Sequence, residues 1–90
     1  MIKDKTKRII ELTQEQWSHI VEHPEMSNQI EQIKETLEQP DKIITSPEDS
    51  SLNYYFKHYN EFKKFLLVAA KYLNGTGFII TAFYTTKIEI

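Results

Sequence analysis

Two histidines, His19 and His23, stand four residues apart near the start of this 90-residue chain. Histidine is the side chain that most readily gains or loses a proton near neutral pH, so a pair of imidazoles can act as general base and general acid in one reaction. Two imidazoles at this spacing can also bind a metal ion. The spacing leaves both interpretations open, and the rest of the sequence has to distinguish them.

The metal interpretation rests on the string His-x-x-Glu-His, formed by His19, Glu22 and His23, which is also the motif of inverted zinc proteases. Such a site needs a third ligand. His58 lies in a segment predicted as strand, and Glu15 would complete only a weak site on the helix surface. We therefore rank a zinc-dependent hydrolase last and expect neither a metal nor another cofactor.

The histidines belong to a segment that carries helix signals at both ends. Thr13 and Gln16 have the spacing of a capping box at the start of a helix. Pro24 disfavours helical backbone at the preceding residue. The sequence therefore predicts a helix from Gln14 to about His23.

On a helical wheel the apolar residues of this segment share one face, and they are Trp17, Ile20 and Val21. His19 and His23 fall next to each other, away from that face. They are therefore not predicted to be core residues. The alternative to a catalytic pair is two histidines that simply face solvent.

The remaining elements follow from hydrophobic periodicity and turn residues. A second helix is predicted, with strands before and after the helices and a hairpin signal between the last two long strands. The order argues for an α+β architecture in one domain, residues 1–90. The predicted ranges are helix Ser27–Glu38, strands Lys7–Leu12, Lys42–Thr45, Leu52–Tyr59, Lys64–Leu73 and Phe78–Thr85, tail Lys87–Ile90 and hairpin Asn74–Gly77.

Composition places the chain among soluble proteins. It has no cysteine, no signal-peptide pattern and no apolar run long enough to span a bilayer, so we expect a cytoplasmic protein. Charge is uneven, because residues 11–41 carry eight acidic residues against one lysine, whereas residues 51–90 carry five lysines against two glutamates. This asymmetry indicates an anionic partner on the basic side, or merely a solvated acidic helix face.

Three polar residues in the last two long strands could complete a site with the histidines. Lys71 ends an apolar run, and strict alternation places Ile79, Thr81 and Phe83 on one face of the final strand and Ile80, Ala82 and Tyr84 on the other. Taken singly, Lys71, Thr81 and Tyr84 are ordinary strand residues. Together they could bind a phosphate, the lysine as a point charge and the hydroxyls by hydrogen bonds.

Such a set suits metal-free RNA cleavage. The reaction needs a base for the ribose 2′-OH, a cation for the charge that develops on phosphorus and an acid for the 5′-oxygen. Tyrosines could stack on splayed bases, and the candidates are Tyr54, Tyr55, Tyr59 and Tyr72. We expect substrate contacts from Tyr55, Lys57, Thr85 and Lys87.

Two sequence blocks resemble a known family. One runs Trp17-x-His19-Ile20-x-x-His23-Pro24-Glu25, and the other runs Gly77-Phe78-Ile79-Ile80-Thr81-Ala82-Phe83-Tyr84-Thr85-Thr86-Lys87. In this order, with Tyr54-Tyr55 and Lys71 between them, they resemble the phage-type barnase–EndoU–colicin–RelE-like nuclease domains over most of the chain. Glu22 departs from the pattern, since relatives commonly carry a basic residue there.

The resemblance implies two N-terminal helices packed on a four- or five-stranded antiparallel sheet, and metal-independent ribonuclease activity of a toxin-like kind. It implies that His19, His23, Lys71, Thr81 and Tyr84 form the catalytic set. The expected partners are RNA and an antitoxin or immunity protein, with no membrane. The alternative is a non-catalytic module of the same fold that binds a protein partner through its acidic helical face.

Overall fold

A computed structural model describes residues 1–89 and contains two α-helices, a short 3₁₀ turn and six β-strands. In chain order these are β1 Ile2–Lys3, β2 Ile9–Glu11, α1 Gln14–Ile20, the 3₁₀ turn Pro24–Met26, α2 Ile30–Glu38, β3 Lys42–Thr45, β4 Leu52–Tyr59, β5 Lys64–Leu73 and β6 Thr76–Thr85. No helix in residues 1–89 is long and apolar enough to span a membrane. The predicted tail follows β6 without strand pairing as far as residue 89, and Ile90 lies outside the described residues.

All six strands form one sheet in the order β1-β2-β6-β5-β4-β3. Strands β3 to β6 make an antiparallel meander, whereas β2 pairs in parallel with β6 and β1 pairs antiparallel with β2. The chain is α+β with two helices, but the prediction of a four- or five-stranded antiparallel sheet is wrong. Strands β1 and β2 come first in the chain, but β2 pairs with β6, the last strand. This long-range pairing makes the sheet mixed and six-stranded.

The meander follows closely from local sequence. The predicted limits of β3, β4 and β5 are confirmed, and the hairpin between β5 and β6 turns at Asn74 and Gly75, with φ of 54° and 85°. Positive φ at both central residues is typical of the type I′ turn, whose twist matches that of the flanking strands. Strand β6 begins at Thr76, two residues before the predicted start.

A β-bulge in β6 changes which residues share a face. Ala69 pairs with Thr81, but the next residue, Ala70, pairs with Ile79, so Ile80 is the extra residue. A bulge shifts the alternation by one position. Ile79 therefore packs in the same cluster as Ala82 and Tyr84, and the prediction that it shares a face with Thr81 and Phe83 is wrong.

The sheet carries a hydrophobic cluster on each face. On one face, the helices pack their apolar residues, including Ile20, Ile33 and Leu37, against Val68 and Ile79. The other, here called the open face, receives no helical residue. Its cluster consists of Phe56, Leu67 and Ala69 in the middle, bordered by Ile44, Leu52, Tyr54, Phe65, Phe83 and Ile88.

Helix α1 is shorter than the sequence predicted. Thr13 is its N-cap as predicted and accepts a hydrogen bond from the Gln16 N–H at 3.1 Å. The helix ends at Ile20 instead of His23, because Pro24 holds His23 in extended backbone with ψ of 110°. His19 therefore lies in the last helical turn and His23 lies outside the helix. Helix α2 begins at Ile30, three residues after the predicted start.

Candidate functional site

The open face collects several of the polar residues singled out by the sequence. Thr81 is directly opposite Ala69, and Lys71 lies two residues further along β5. Residues separated by two positions, or directly paired, point to the same side of a sheet. Thr81 and Lys71 therefore share the open face, with Cα atoms roughly 8 Å apart by strand spacing and rise.

Lys71 is held at this face by an ion pair. Its Nζ lies 3.1 Å from Oδ2 of Asp49, and both side chains are more than one-third exposed. Hydrogen bonds donated by the Ser51 hydroxyl and by its backbone N–H, together with the Lys71 ammonium, lower the pKa of Asp49 to about 2. Asp49 is therefore a carboxylate at any working pH. An exposed pair of this kind contributes little to stability.

His23 lies at the outer edge of β6. Strand β2 covers only the start of that edge, since its pairing with β6 is limited to Gly77 and Phe78. The 3₁₀ turn that follows His23 contacts β6, and the His23 ring lies 6.0 Å from the Phe83 ring, centroid to centroid. Phe83 borders the open-face cluster, so the exposed imidazole of His23 stands beside the open face.

His19 points to a different neighbour. Its Nδ1 lies 3.6 Å from Oε2 of Glu22, and its side chain is 62% exposed. The predicted placement of both histidines on one face of a single helix is wrong, because the helix stops between them. Backbone hydrogen bonds from the Glu22 N–H to the His19 oxygen and from the His23 N–H to the Ile20 oxygen continue the turn beyond the end of α1.

Tyr84 lies on the helix side of the sheet. Its hydroxyl donates to Oε1 of Gln29 at 2.6 Å. Burial, and then the charge of Glu61, raise the pKa of Tyr84 to about 12. Thr81 and Tyr84 are three residues apart in one strand and so face opposite sides. The structure does not bring Tyr84 together with Lys71 and Thr81.

Two of the expected substrate contacts are also held on the helix side. Tyr55 is 2% exposed, and its hydroxyl forms a hydrogen bond of 2.5 Å with that of Tyr72. Lys57 donates from Nζ to the backbone oxygen of Gln39 at 3.0 Å, at the C-terminal end of α2. A cation at this position interacts favourably with the helix dipole. These contacts give both side chains a structural role.

The other two expected contacts lie near the end of β6. Thr85 is directly opposite Phe65, which places it on the open face. Lys87 is exposed in the segment that follows. Thr85 is partly exposed and follows Phe83 by two residues on the same face.

The open face also presents side chains that the sequence analysis did not select as a group. His58 packs edge-on against Phe65 with ring centroids 5.1 Å apart, and Lys42 is directly opposite Phe56. Tyr54, Phe65 and Phe83 are partly exposed. The period-two pattern of β4, Leu52-Tyr54-Phe56-His58, was the available signal, since it places an aromatic residue and a histidine on one face of a predicted strand.

Among residues 1–89, no group of three or more histidine, cysteine, aspartate or glutamate side chains is arranged to hold a metal ion. His58 stands on β4, two strands away from β6 and the edge where His23 lies. The third ligand that the zinc interpretation requires is therefore not supplied by His58.

The chain matches the model of the family described as phage-Barnase-EndoU-ColicinE5/D-RelE like nuclease 2 over residues 1–90. No curated protein and no solved structure matches the chain significantly. Because the match spans the whole chain, the protein belongs to this nuclease family, and the resemblance seen in the sequence is confirmed. Membership supports a nuclease function and a nucleic-acid substrate.

Proposed function

We propose that this member of the phage-Barnase-EndoU-ColicinE5/D-RelE like nuclease 2 family is a metal-independent endoribonuclease that binds RNA on its open face. The observation that carries the proposal is the position of His23. Its imidazole is exposed and stands beside Phe83 at the rim of a sheet face that also presents Thr81 and Lys71. A proton-transfer group, a hydroxyl and a cation are thus available along one accessible surface.

The chemistry is an internal transfer of the phosphate. A base removes the proton of a ribose 2′-OH, the 2′-oxygen forms a bond to phosphorus, and the bond from phosphorus to the 5′-oxygen breaks. An acid gives the leaving 5′-oxygen its proton. The products are a 2′,3′-cyclic phosphate and a 5′-hydroxyl, so no metal is needed to activate water. His23 and His19 are the two proton-transfer residues in this proposal.

Thr81 and Lys71 lie at different distances from Phe83, the residue whose ring lies beside His23. By strand rise, Thr81 lies roughly 7 Å from Phe83, two residues along β6. Its hydroxyl can reach the phosphate that is cleaved. Lys71 lies roughly 14 Å from Phe83, four residues along the neighbouring strand. We therefore assign Lys71 to a neighbouring phosphate, and the positive charge at the cleaved phosphate to a protonated imidazole.

The hydroxyl of Tyr84 and the side chains of Tyr55 and Lys57 do not enter this mechanism. Each is engaged in a hydrogen bond on the helix side of the sheet. We assign them to stability. Thr85 and Lys87 remain as substrate contacts beside Phe83.

The test is whether cleavage depends on the 2′-OH and proceeds in EDTA. We expect cleavage of unpaired RNA in EDTA with 2′,3′-cyclic phosphate ends, and no cleavage of the same sequence as DNA. An RNA with 2′-O-methyl groups throughout is the matched control, because it keeps the RNA shape and lacks the nucleophile. Cleavage of the methylated strand, or 5′-phosphate ends, would exclude attack by the 2′-OH.

A second candidate follows from the helical layer. Helix α2 buries Ile33 and Leu37 and leaves Glu31, Glu35 and Glu38 exposed. This acidic face suits a basic protein partner such as an antitoxin or immunity protein. A stable fold that cleaves no RNA would favour an interaction module over an enzyme.

A further inference from the structure

We propose that the open face is a stacking platform for unpaired bases, formed by the rings of Tyr54, Phe65 and Phe83. The substrate is then single-stranded RNA, or a single-stranded loop, in preference to a duplex. This inference rests on the proposed function and deepens it by naming the form of RNA that is bound.

The three rings lie on three adjacent strands of the meander, β4, β5 and β6. Leu67 is opposite Phe83 and two residues from Phe65, so the Cα atoms of the two phenylalanines are roughly 8 Å apart. Tyr54 is opposite Ala69, which puts it roughly 12 Å from Phe83, across two strand spacings and two residues. Rings at these separations can each take a different base of one strand.

The platform is supported from below and is not covered by a helix. Phe56, Leu67 and Ala69, between the rings, are at most 4% exposed, whereas the three rings are partly exposed. No residue of α1 or α2 belongs to the open-face cluster. The rings are therefore held in place before a ligand arrives, which keeps the entropic cost of binding low.

Charge selects a nucleic acid over an apolar partner. Lys42 and Lys71 stand on the same face, opposite Phe56 and Leu52 respectively, and Lys71 is paired there with the exposed carboxylate of Asp49. The exposed acidic residues of α2 lie on the other side of the sheet. A backbone that crosses the rings would thus meet cations on the open face and would be kept away from the helical layer.

The arrangement repeats a known physical solution to RNA binding. A sheet with helices on one face and aromatic rings on the other can stack two or three unpaired bases. Stacking tolerates any base, because every base has a flat π-face. Paired bases are stacked inside a duplex and do not reach the rings. A base on Phe83 would also bring its own ribose close to His23.

The test measures binding separately from cleavage. The probe is a short fluorescent RNA with 2′-O-methyl groups throughout, which lacks the nucleophile for cleavage, used alone or annealed to its complement. We expect at least tenfold tighter binding of the single strand. Phe65→Leu and Tyr54→Leu should each raise Kd on the order of tenfold. Phe65→Tyr should restore binding, because it keeps a ring at that position.

Phe62→Leu is the matched control. Phe62 is 38% exposed but packs beside Tyr84 on the helix side, with ring centroids 4.8 Å apart. It should leave Kd unchanged. Circular dichroism and thermal unfolding identify any leucine variant that has lost its fold. At such a position the exchange of one aromatic ring for the other, Phe65→Tyr or Tyr54→Phe, gives the comparison.

The two proposals fail in different ways. Equal affinity for duplex and single strand, or unchanged Kd in folded Phe65→Leu and Tyr54→Leu variants, would overturn the platform even if RNA is cleaved. Ring-dependent binding of the methylated strand supports the platform even if natural RNA is never cleaved. Ring-dependent binding without any cleavage would exclude the nuclease proposal and leave the platform proposal supported.

Discussion

At the scale of single residues, polar side chains differ in whether hydrogen bonds within the fold already engage them. The hydroxyls of Tyr84 and Tyr55 are bonded within the helix-side core, whereas the His23 ring is exposed at the sheet edge. A side chain that already satisfies its hydrogen bonds inside the fold is expensive to redirect to a ligand. His23 is free of that cost.

The buried carboxylate of Asp4 belongs to stability and not to the site. It is 3% exposed, and it accepts hydrogen bonds from the Thr6 and Arg8 backbone N–H groups, both at 2.9 Å, and from the Tyr72 hydroxyl at 2.8 Å. Burial alone would raise the pKa of Asp4, but these bonds lower it below 3.8. The Arg8 guanidinium also lies 4.0 Å from the centre of the Tyr72 ring. The network fixes the turn between β1 and β2.

Asp4→Asn should destabilise the fold at neutral pH and change its response to acid. Because the folded-state pKa is lowered, the stabilisation by Asp4 is present above the unfolded value of 3.8 and is lost as pH falls through the folded-state pKa. We expect a loss of about 1–3 kcal/mol at pH 7. The difference between wild type and variant should shrink below about pH 4.

Urea unfolding at pH 7 and pH 3 measures this difference, with Glu31→Gln as an exposed control. The Glu31 side chain is 78% exposed, so its variant should match wild type at both values. A difference for Asp4→Asn that grows towards acid would contradict the assigned direction of the shift.

At the scale of elements, local sequence determined the meander but not the face that each residue occupies. Strands β3 to β5 and the Asn74-Gly75 turn follow from alternation and turn chemistry. The bulge at Ile80 and the parallel pairing of β2 with β6 depend on contacts far apart in the chain. These are the features that local patterns do not reveal.

The same limit applies to the site. Thr81 and Lys71 were predicted to lie near each other, and they do share a face. Thr81 is opposite Ala69, and Lys71 lies two residues from Ala69 on the same strand, so the bulge at Ile80 moves neither residue to the other side of the sheet. Tyr84 was grouped with them although its parity places it on the opposite side. His58 and Phe65 become neighbours only once β4 and β5 are aligned. No periodicity within one strand shows that.

Gly77 fixes the join between β2 and β6, and Gly77→Ala should weaken it. A Cβ at this position would lie 2.8 Å from Cε1 of Tyr72 and would overlap Cδ1 of Ile10. Both neighbours are constrained, since the Tyr72 hydroxyl is bonded to Asp4 and Ile10 is 2% exposed. Overpacking of this kind costs about 1–3 kcal/mol. Urea unfolding gives the loss, and hydrogen exchange at the β2 amides locates it.

Gly75→Ala provides the comparison for that prediction. An added Cβ at Gly75 meets no atom within 4 Å, but φ is +85°. Its cost should arise from backbone strain alone, without faster exchange in β2. Wild-type stability in Gly77→Ala would mean that Ile10 and Tyr72 can move apart freely.

At the scale of the whole molecule, the two sides of the sheet carry different exposed side chains. The helices carry exposed acids on one side of the sheet, and the open face carries Lys42 and Lys71 with the aromatic rings on the other. In the proposed function this difference guides an anionic strand to the open face. The charge asymmetry seen along the sequence maps only in part onto the two faces, because Lys71 lies on the open face and Lys57 lies on the helix side.

RNA cleavage in EDTA by wild type, His23→Ala and His19→Ala, with Glu31→Gln as control, tests whether the two histidines transfer protons without a metal. Loss of a general acid or base lowers rate about 10²- to 10⁴-fold. We predict losses in this range for both histidine variants, with thermal stability unchanged and the control fully active. Cleavage that is abolished by EDTA and restored by a metal, or that survives in both histidine variants, would contradict metal-independent catalysis by His19 and His23.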